Sequence, residues 1–212
     1  VLITFDDGYC DFSQHAWPIL RQHGMPVVMF VATAYPNSNR HFWWDRLHRA
    51  VLQSPDGTRL TLPWGETPLV NTAQRRAVFR RLKEHLKAMP HAECCRLVDA
   101  IAASGGVPDP SDNGVMSWDE LGRLHEKGVT LAPHTRTHPM LNQSPISEVR
   151  EEISQSWIDL VDRFGSKIPR VLAYPAGGVN DDVASTMREL GFELAFGTER
   201  GVNRPATMDR FR

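Results

Sequence analysis

The fold is decided by the stretch VLITFDDGYCDFSQHAWPILRQHGMPVVMFV, residues 1–31. It begins with an apolar, β-branched run at 1–5, which predicts a buried strand that ends at an Asp-Asp-Gly turn. Residues from about 13 to 23 have a helical pattern that stops at Gly24, a residue type common at helix C-termini. A second apolar run at 27–31 predicts another buried strand. Strand, helix and strand in this order indicate a βαβ unit with a parallel sheet.

The rest of the chain resumes this alternation after an interruption. Residues 41 to about 110 carry mostly helix-like patterns and predict a helical insertion, not a second independent fold. Ser117 and Glu120 form a capping-box pattern that predicts the start of the next helix. Further strands are predicted at 129–132, 170–173 and 193–196, and further helices at 144–165 and about 181–191. Repeating βα units favour an α/β barrel or a doubly wound sheet.

Composition excludes several classes of protein. The chain has 212 residues, of which 41% are hydrophobic and 23% charged, which is ordinary for a globular domain and argues against a disordered or collagen-like chain. The 24 basic and 25 acidic side chains give a net charge of −1, so no basic excess indicates a nucleic-acid partner. No apolar run approaches the length of a transmembrane helix.

The ends and the cysteines bear on the origin of the chain. It begins at Val1 without an initiator Met and stops at Arg212, so we expect an excerpt truncated at both ends. The absence of a signal peptide therefore says nothing about export. Three cysteines without metal-finger spacing argue against a disulfide scaffold and weakly favour a reducing compartment.

Three clusters of polar or turn-forming residues follow predicted strands. Asp6-Asp7 follows the first strand, His134–His138 follows the strand at 129–132, and Tyr174–Gly178 follows the strand at 170–173. Active sites of barrels and open α/β sheets form at the carboxyl ends of the strands. Three clusters at one rim are difficult to explain by packing alone.

The first two clusters contain the residue types of a catalytic metal site. The adjacent carboxylates of Asp6 and Asp7 repel one another unless a cation lies between them, although an Asp-Asp-Gly surface turn is also common. His134 and His138 are four residues apart, which in helical or turn geometry places both on one face. Two histidines and one carboxylate can hold catalytic zinc and leave one position open to water. Taken together, the clusters favour a metal site over solvated side chains.

The third cluster is less specific. Pro175 fixes one backbone dihedral, and the glycines that follow allow a ligand to approach closely. A backbone N–H in this loop could stabilise an oxyanion. A plain strand-to-helix turn explains the same residues equally well.

The three motifs together resemble those of a known family. TFDDG at 4–8, HTRTH at 134–138 and YPAGG at 174–178 look like the first three motifs of the polysaccharide deacetylases, carbohydrate esterase family 4, with its nodulation-protein-type deacetylase domain. The resemblance runs from the first residue to about Phe196, excluding the insertion. It implies one catalytic domain over residues 1–212, folded as a distorted (β/α) barrel.

The resemblance also implies a role for each motif residue. Asp6 would be the general base, while Asp7, His134 and His138 would hold one divalent metal. Zinc is the default for such a set, and cobalt or nickel would also fit. The backbone N–H of Ala176 would line the oxyanion hole, and Tyr174 would lie nearby in the substrate-binding loop.

The chain departs from the family pattern at the third motif and at a later one. Ala173 stands where the family has an arginine that tethers the base. Arg170, Arg204 and Arg210 are the candidates to replace that arginine. No histidine follows His138 in this sequence, so the late Leu-x-His motif that supplies the family's catalytic acid either lies beyond Arg212 or is replaced by another group.

We therefore predict a metal-dependent hydrolase that removes N-acetyl groups from an amino-sugar polysaccharide, oligosaccharide or glycan precursor. One alternative is a deacylase or deformylase of another amide, such as a lipid-linked sugar. A second alternative is a non-catalytic carbohydrate-binding remnant of the same fold, against which the intact base and metal ligands speak. The location stays open between the cytoplasm and the cell envelope of a bacterium, and the sequence predicts no oligomeric state.

Overall fold

The computed structural model describes residues 2–201 and 209–211. The chain divides into two compact units. The first, which we call the sheet unit, comprises Val1–Ser38 and Gly114–Arg212. The second, the inserted unit, comprises Asn39–Asn113.

The elements alternate between strands and helices along most of the chain. No helix within the described residues is long and apolar enough to cross a membrane. A π-helical turn at Phe12–Ala16 leads into the first helix, and a second one at Arg49–Gln53 follows α2. In chain order the elements are β1 (Ile3–Phe5), α1 (Trp17–Gln22), β2 (Val27–Val31), α2 (Trp43–His48), β3 (Arg59–Leu62), β4 (Gly65–Pro68), α3 (Thr72–Lys87), α4 (His91–Gly105), α5 (Trp118–Glu126), β5 (Thr130–Pro133), α6 (Ile146–Phe164), β6 (Val171–Ala173), α7 (Asp181–Glu189) and β7 (Leu194–Phe196).

The strands of the sheet unit pair in parallel, which confirms the predicted βαβ unit. β1 pairs with β2 and β2 pairs with β5, so that Thr4 lies opposite Val28 and Val28 lies opposite Thr130. β6 pairs with β7, and Ala173 lies opposite Phe196. All four strands that follow β1 in this unit lie within one or two residues of their predicted positions.

Side chains of these strands alternate between two layers, as the pleat of a strand requires. Val28, Phe30, Ala132 and Ala173 form one small buried cluster, against which Phe196 packs. The intervening side chains, such as those of β2 at 27, 29 and 31, pack instead with α5 and α6. The small cluster contains side chains from β2, β5, β6 and β7, so these four strands share one interior.

The sheets observed are smaller than the predicted barrel. Among the described residues, β1-β2-β5 form one sheet and β6-β7 form another. The structure therefore establishes an α/β fold, and the closed barrel is not shown. The prediction that β1 is buried was wrong, because Leu2 and Thr4 are exposed and Ile3 and Phe5 are only half-buried. β1 lies at the edge of its sheet, which leaves it less covered than β2 at the centre.

The inserted unit has a hydrophobic core of its own. α2, α3 and α4 follow the helical patterns of the sequence and bury side chains that include Leu47, Leu82 and Ile101. An antiparallel hairpin of β3 and β4 lies between α2 and α3 and also contributes to this core. The helical insertion was predicted without this hairpin, since each of its strands has four residues and shows too few alternations to detect.

The predicted capping box is present at the start of α5. The Ser117 hydroxyl accepts a hydrogen bond from the backbone N–H of Glu120, at 3.2 Å. The Glu120 carboxylate accepts one from the backbone N–H of Ser117, at 2.8 Å. Two N–H groups that the helix itself cannot pair are thereby satisfied.

Ser117→Ala is expected to lower the free energy of unfolding by about 1 kcal/mol, because the N–H of Glu120 loses its acceptor. Urea unfolding followed by circular dichroism measures the change. Ser166→Ala, at an exposed position between α6 and β6, is the matched control and should change stability by less than about 0.5 kcal/mol. An equal loss in the two variants would contradict the capping role of Ser117.

Candidate active site

The first motif forms a tight turn at the carboxyl end of β1. Asp7 and Gly8 both have left-handed backbone, with φ of 70° and 81°. The N–H of Gly8 donates to the main-chain oxygen of Asp6 at 2.9 Å. The main-chain oxygen of Gly8 accepts from the N–H of Met116 at 2.9 Å. A non-glycine residue in this conformation costs about 1–2 kcal/mol. An isolated antiparallel bridge between Tyr9 and Val115 lies next to the turn and helps to hold it in place.

The second motif brings both of its histidines to Asp7. The Oδ1 atom of Asp7 lies 3.5 Å from Nε2 of His134 and 3.4 Å from Nε2 of His138. One ligand atom from each of the three residues can be chosen so that all lie within 4.8 Å of one another. Both imidazoles are buried, and the Asp7 side chain is 21% exposed. The three predicted metal ligands thus converge on one point.

His134 is oriented by a main-chain acceptor. Its Nδ1 donates to the oxygen of Ala173, at the end of β6, over 2.7 Å. In a neutral ring this hydrogen bond leaves Nε2, the atom that faces Asp7, without a proton. Burial lowers the pKa of His134, against the opposing influence of the Asp6 charge and of the Ala173 carbonyl. A lowered pKa favours the neutral ring, which is the form that binds a metal.

Asp6 lies next to the cluster of the three predicted metal ligands, and it is exposed. It directly precedes Asp7, and its negative charge acts on His134. A carboxylate that is open to solvent next to the ligand cluster is the arrangement that the predicted general base needs.

The loop of the second motif continues the pairing of β2 with β5 beyond both strands. The N–H of His134 donates to Val31, and the N–H of Thr33 donates to Thr135. The loop then departs from helical geometry, because Thr135 and His138 have φ of 64° and 61°. The shared face of the two histidines, predicted from helical or turn spacing, is thus produced by a left-handed turn.

The third motif forms a turn that follows β6. Ala176 has φ of 49° and is exposed, while Gly177 and Gly178 donate their N–H groups to Tyr174 and Pro175. The Tyr174 ring is buried, and its hydroxyl donates to the oxygen of Phe211 at 3.1 Å. The placement of Tyr174 in a substrate-binding loop stays a prediction. The oxyanion role of Ala176 stays a prediction.

Left-handed backbone is concentrated in the three motifs. Among the described residues, the non-glycine positions with positive φ are Asp7, Asn37, Thr135, His138 and Ala176. Four of these five belong to the motifs. Such conformations cost about 1–3 kcal/mol each, persist only where the surroundings impose them, and cluster at functional sites.

Residues that the sequence analysis did not single out support the second motif. Glu152 accepts three hydrogen bonds from it. Asp159 accepts one from the Thr33 hydroxyl, at 2.6 Å, and the Tyr35 hydroxyl donates to the oxygen of Thr137 at 3.1 Å. Glu152 and Asp159 lie seven residues apart on α6, beside its buried stripe. The sequence contains these carboxylates on a predicted helix among other acidic residues, and nothing in it marks the two that meet the loop.

Of the three arginines predicted as candidates to tether Asp6, Arg170 is engaged elsewhere. It precedes β6, at the opposite end of that strand from Ala173, where its guanidinium stacks on Trp157 at 3.8 Å and donates to the oxygen of Leu190. Of the three candidates, Arg170 is therefore removed. Arg204 lies outside the described residues, and Arg210 stays a prediction.

Comparison with solved structures shows a similar fold in three proteins. IcaB from Ammonifex degensii aligns with a TM-score of 0.57 and 19% identity, over 97% of this chain and 62% of that one. The BpsB deacetylase domain from Bordetella bronchiseptica aligns with a TM-score of 0.56 and 19% identity, over 98% and 67%. Streptococcus pyogenes PplD, a deacetylase in complex with acetate, aligns with a TM-score of 0.55 and 17% identity, over 95% and 57%.

Sequence comparison gives the family. YxkH of Bacillus subtilis (strain 168) is 55% identical over 31 residues, which are 15% of this chain and 11% of YxkH. This chain thus spans only part of the length of its relatives. The family model of the polysaccharide deacetylases, however, matches residues 1–195. The chain therefore belongs to the polysaccharide deacetylase family.

Proposed function

We propose that this chain catalyses metal-dependent hydrolysis of N-acetyl groups on the amino sugars of a polysaccharide or oligosaccharide. The observation that carries the proposal is the convergence of Asp7, His134 and His138 beside the exposed carboxylate of Asp6. Membership of the polysaccharide deacetylase family supports the reaction class. The acetate bound to PplD is the acid that such a reaction releases.

The three side chains fit a divalent metal. Ligand atoms 2.0–2.2 Å from one tetrahedral ion lie about 3.3–3.6 Å apart, and the two distances from Asp7 are 3.5 and 3.4 Å. Two imidazole nitrogens and one carboxylate oxygen suit zinc, and also cobalt or nickel. Three protein ligands leave one tetrahedral position for water or substrate, as in catalytic zinc sites.

The chain's own residues supply the remaining parts of the reaction. A metal bound here would lower the pKa of water and polarise the acetamide carbonyl. Asp6 accepts the proton of the attacking water, since it adjoins the ligand cluster and is open to solvent. The N–H of Ala176 donates to the oxyanion that develops on the carbonyl oxygen. An acid must also protonate the leaving amine, and residues 139–212 contain no histidine for that role.

We also propose that the strands of the sheet unit follow the course of a distorted (β/α) barrel. The support is the interior shared by β2, β5, β6 and β7. The hydrogen bond from His134 to Ala173 further links the ends of β5 and β6. The three motifs then follow β1, β5 and β6 on one carboxyl rim, where barrel enzymes carry their active sites.

Removal of the metal is expected to abolish acetate release from N-acetylglucosamine oligomers, and added zinc should restore it, because water alone is a poor nucleophile for an amide. Proton NMR identifies the released acid and separates acetate from formate. Undiminished release by the metal-free protein would contradict the proposal. A zinc-loaded protein that releases no acid from any N-acylated sugar would instead favour a carbohydrate-binding remnant.

Asp6→Asn and Asp7→Asn are expected to lose different properties, catalysis in the first variant and zinc binding in the second. Asp6→Asn should bind zinc as the wild type does and lose about 10²–10⁴-fold in kcat, because it removes only the proton acceptor. Asp7→Asn should lose zinc itself. Zinc content by atomic spectroscopy and kcat from acetate release measure the two effects. Asp11→Asn, at an exposed position just past the turn, is the control and should change neither, and full activity of Asp6→Asn would remove Asp6 as the base.

A further inference from the structure

The His134–His138 loop needs support from outside itself. Its left-handed residues Thr135 and His138 are unfavourable conformations that neighbouring groups must impose. One constraint lies inside the loop, where the Thr135 hydroxyl accepts from the N–H of His138 at 3.1 Å. The backbone N–H groups of Arg136 and Thr137, which lie between these residues, find their acceptor outside the loop.

A single carboxylate supplies those acceptors. One oxygen of Glu152, Oε2, accepts from the N–H of Arg136 at 2.7 Å and from the N–H of Thr137 at 2.8 Å. The other oxygen, Oε1, accepts from the Thr137 hydroxyl at 2.6 Å. An ionised carboxylate can accept several hydrogen bonds at once, and such charge-assisted bonds are the stronger ones. One side chain thereby holds two successive peptide groups.

Glu152 is itself fixed by its helix. Its neighbours on α6, Val149, Ile153 and Ser156, are buried, so the helix cannot turn to follow a moving loop. The peptide carbonyl of Thr137 is held from another side by the hydroxyl of Tyr35. The backbone that leads into His138 is therefore constrained at both its N–H and its C=O groups.

We propose that Glu152 is a positioning residue that sets the geometry of His138 for metal binding. His138 follows Thr137 directly, and its Nε2 lies 3.4 Å from Oδ1 of Asp7. Rotation of the peptide group between the two would carry the imidazole away from that distance. Glu152 acts through the loop and not on the metal. The inference rests on the proposed function, in which Asp7, His134 and His138 hold the metal.

The measurement is the zinc dissociation constant, obtained by competition with a chromophoric chelator. Glu152→Ala is expected to weaken zinc binding about 10–100-fold, the usual effect of losing a group that orients a metal ligand. Glu152→Gln should retain most of the affinity, because the amide oxygen can accept both N–H groups and the amide nitrogen can donate to the Thr137 hydroxyl. Glu151→Ala, at the exposed neighbouring position on α6, is the control and should bind zinc as the wild type does.

Two further readouts separate positioning from general stability. The visible absorption of the cobalt-loaded protein reports ligand geometry and should change in Glu152→Ala but not in Glu151→Ala. Thr137→Val removes only one of the three hydrogen bonds and should give a smaller loss of affinity. It also carries the test if Glu152→Ala does not fold.

The outcomes distinguish this inference from the proposed function. Wild-type zinc affinity in Glu152→Ala would overturn the positioning role and leave the metal site intact. An equal loss in Glu152→Gln and Glu152→Ala would show that the charge, and not the hydrogen-bond geometry, matters, and would also overturn it. A wild-type protein that binds no zinc would contradict the proposed function and the inference together.

Discussion

The site depends on the hydrogen bond from Nδ1 of His134 to the main-chain oxygen of Ala173. This bond links β5 to β6, strands that belong to different hydrogen-bonded sheets. It also leaves Nε2 of the neutral ring available on the side of Asp7. Because the acceptor is a carbonyl of the backbone, the small side chain at position 173 is free to pack in the interior. One hydrogen bond thus joins the two sheets and also orients the imidazole of His134.

The other two proposed metal ligands are placed by backbone that is unfavourable by itself. Asp7 and His138 are both left-handed residues, and each is held by groups outside its own loop. For Asp7 the support is the hydrogen bond between Gly8 and Met116, and for His138 it is the carboxylate of Glu152. The local cost is offset by the surrounding hydrogen bonds, which leave little freedom for the ligands to move apart. Such preorganisation favours binding of an ion that needs all three ligands at once.

The sequence predicted what depends on local pattern. β2 is an uninterrupted apolar run, the capping box at Ser117 is a four-residue signal, and the position of the ligands after strand ends follows from the parallel sheet. What it did not predict depends on contacts between distant segments. The exposure of β1 depends on its place at the edge of the sheet. The role of Glu152 depends on which face of α6 packs against the His134–His138 loop. Arg170 was one of three candidates for the site because its charge is visible in the sequence, whereas its stacking on Trp157 is not.

The central claim is that Asp7, His134 and His138 bind one metal ion through the atoms that already face one another. Anomalous X-ray scattering at the zinc edge, from crystals grown with zinc, tests it most directly. The account predicts one strong peak within about 2.0–2.2 Å of a carboxylate oxygen of Asp7 and of Nε2 of both histidines. A zinc ion bound elsewhere, or one that bonds to His134 but not to His138, would contradict it.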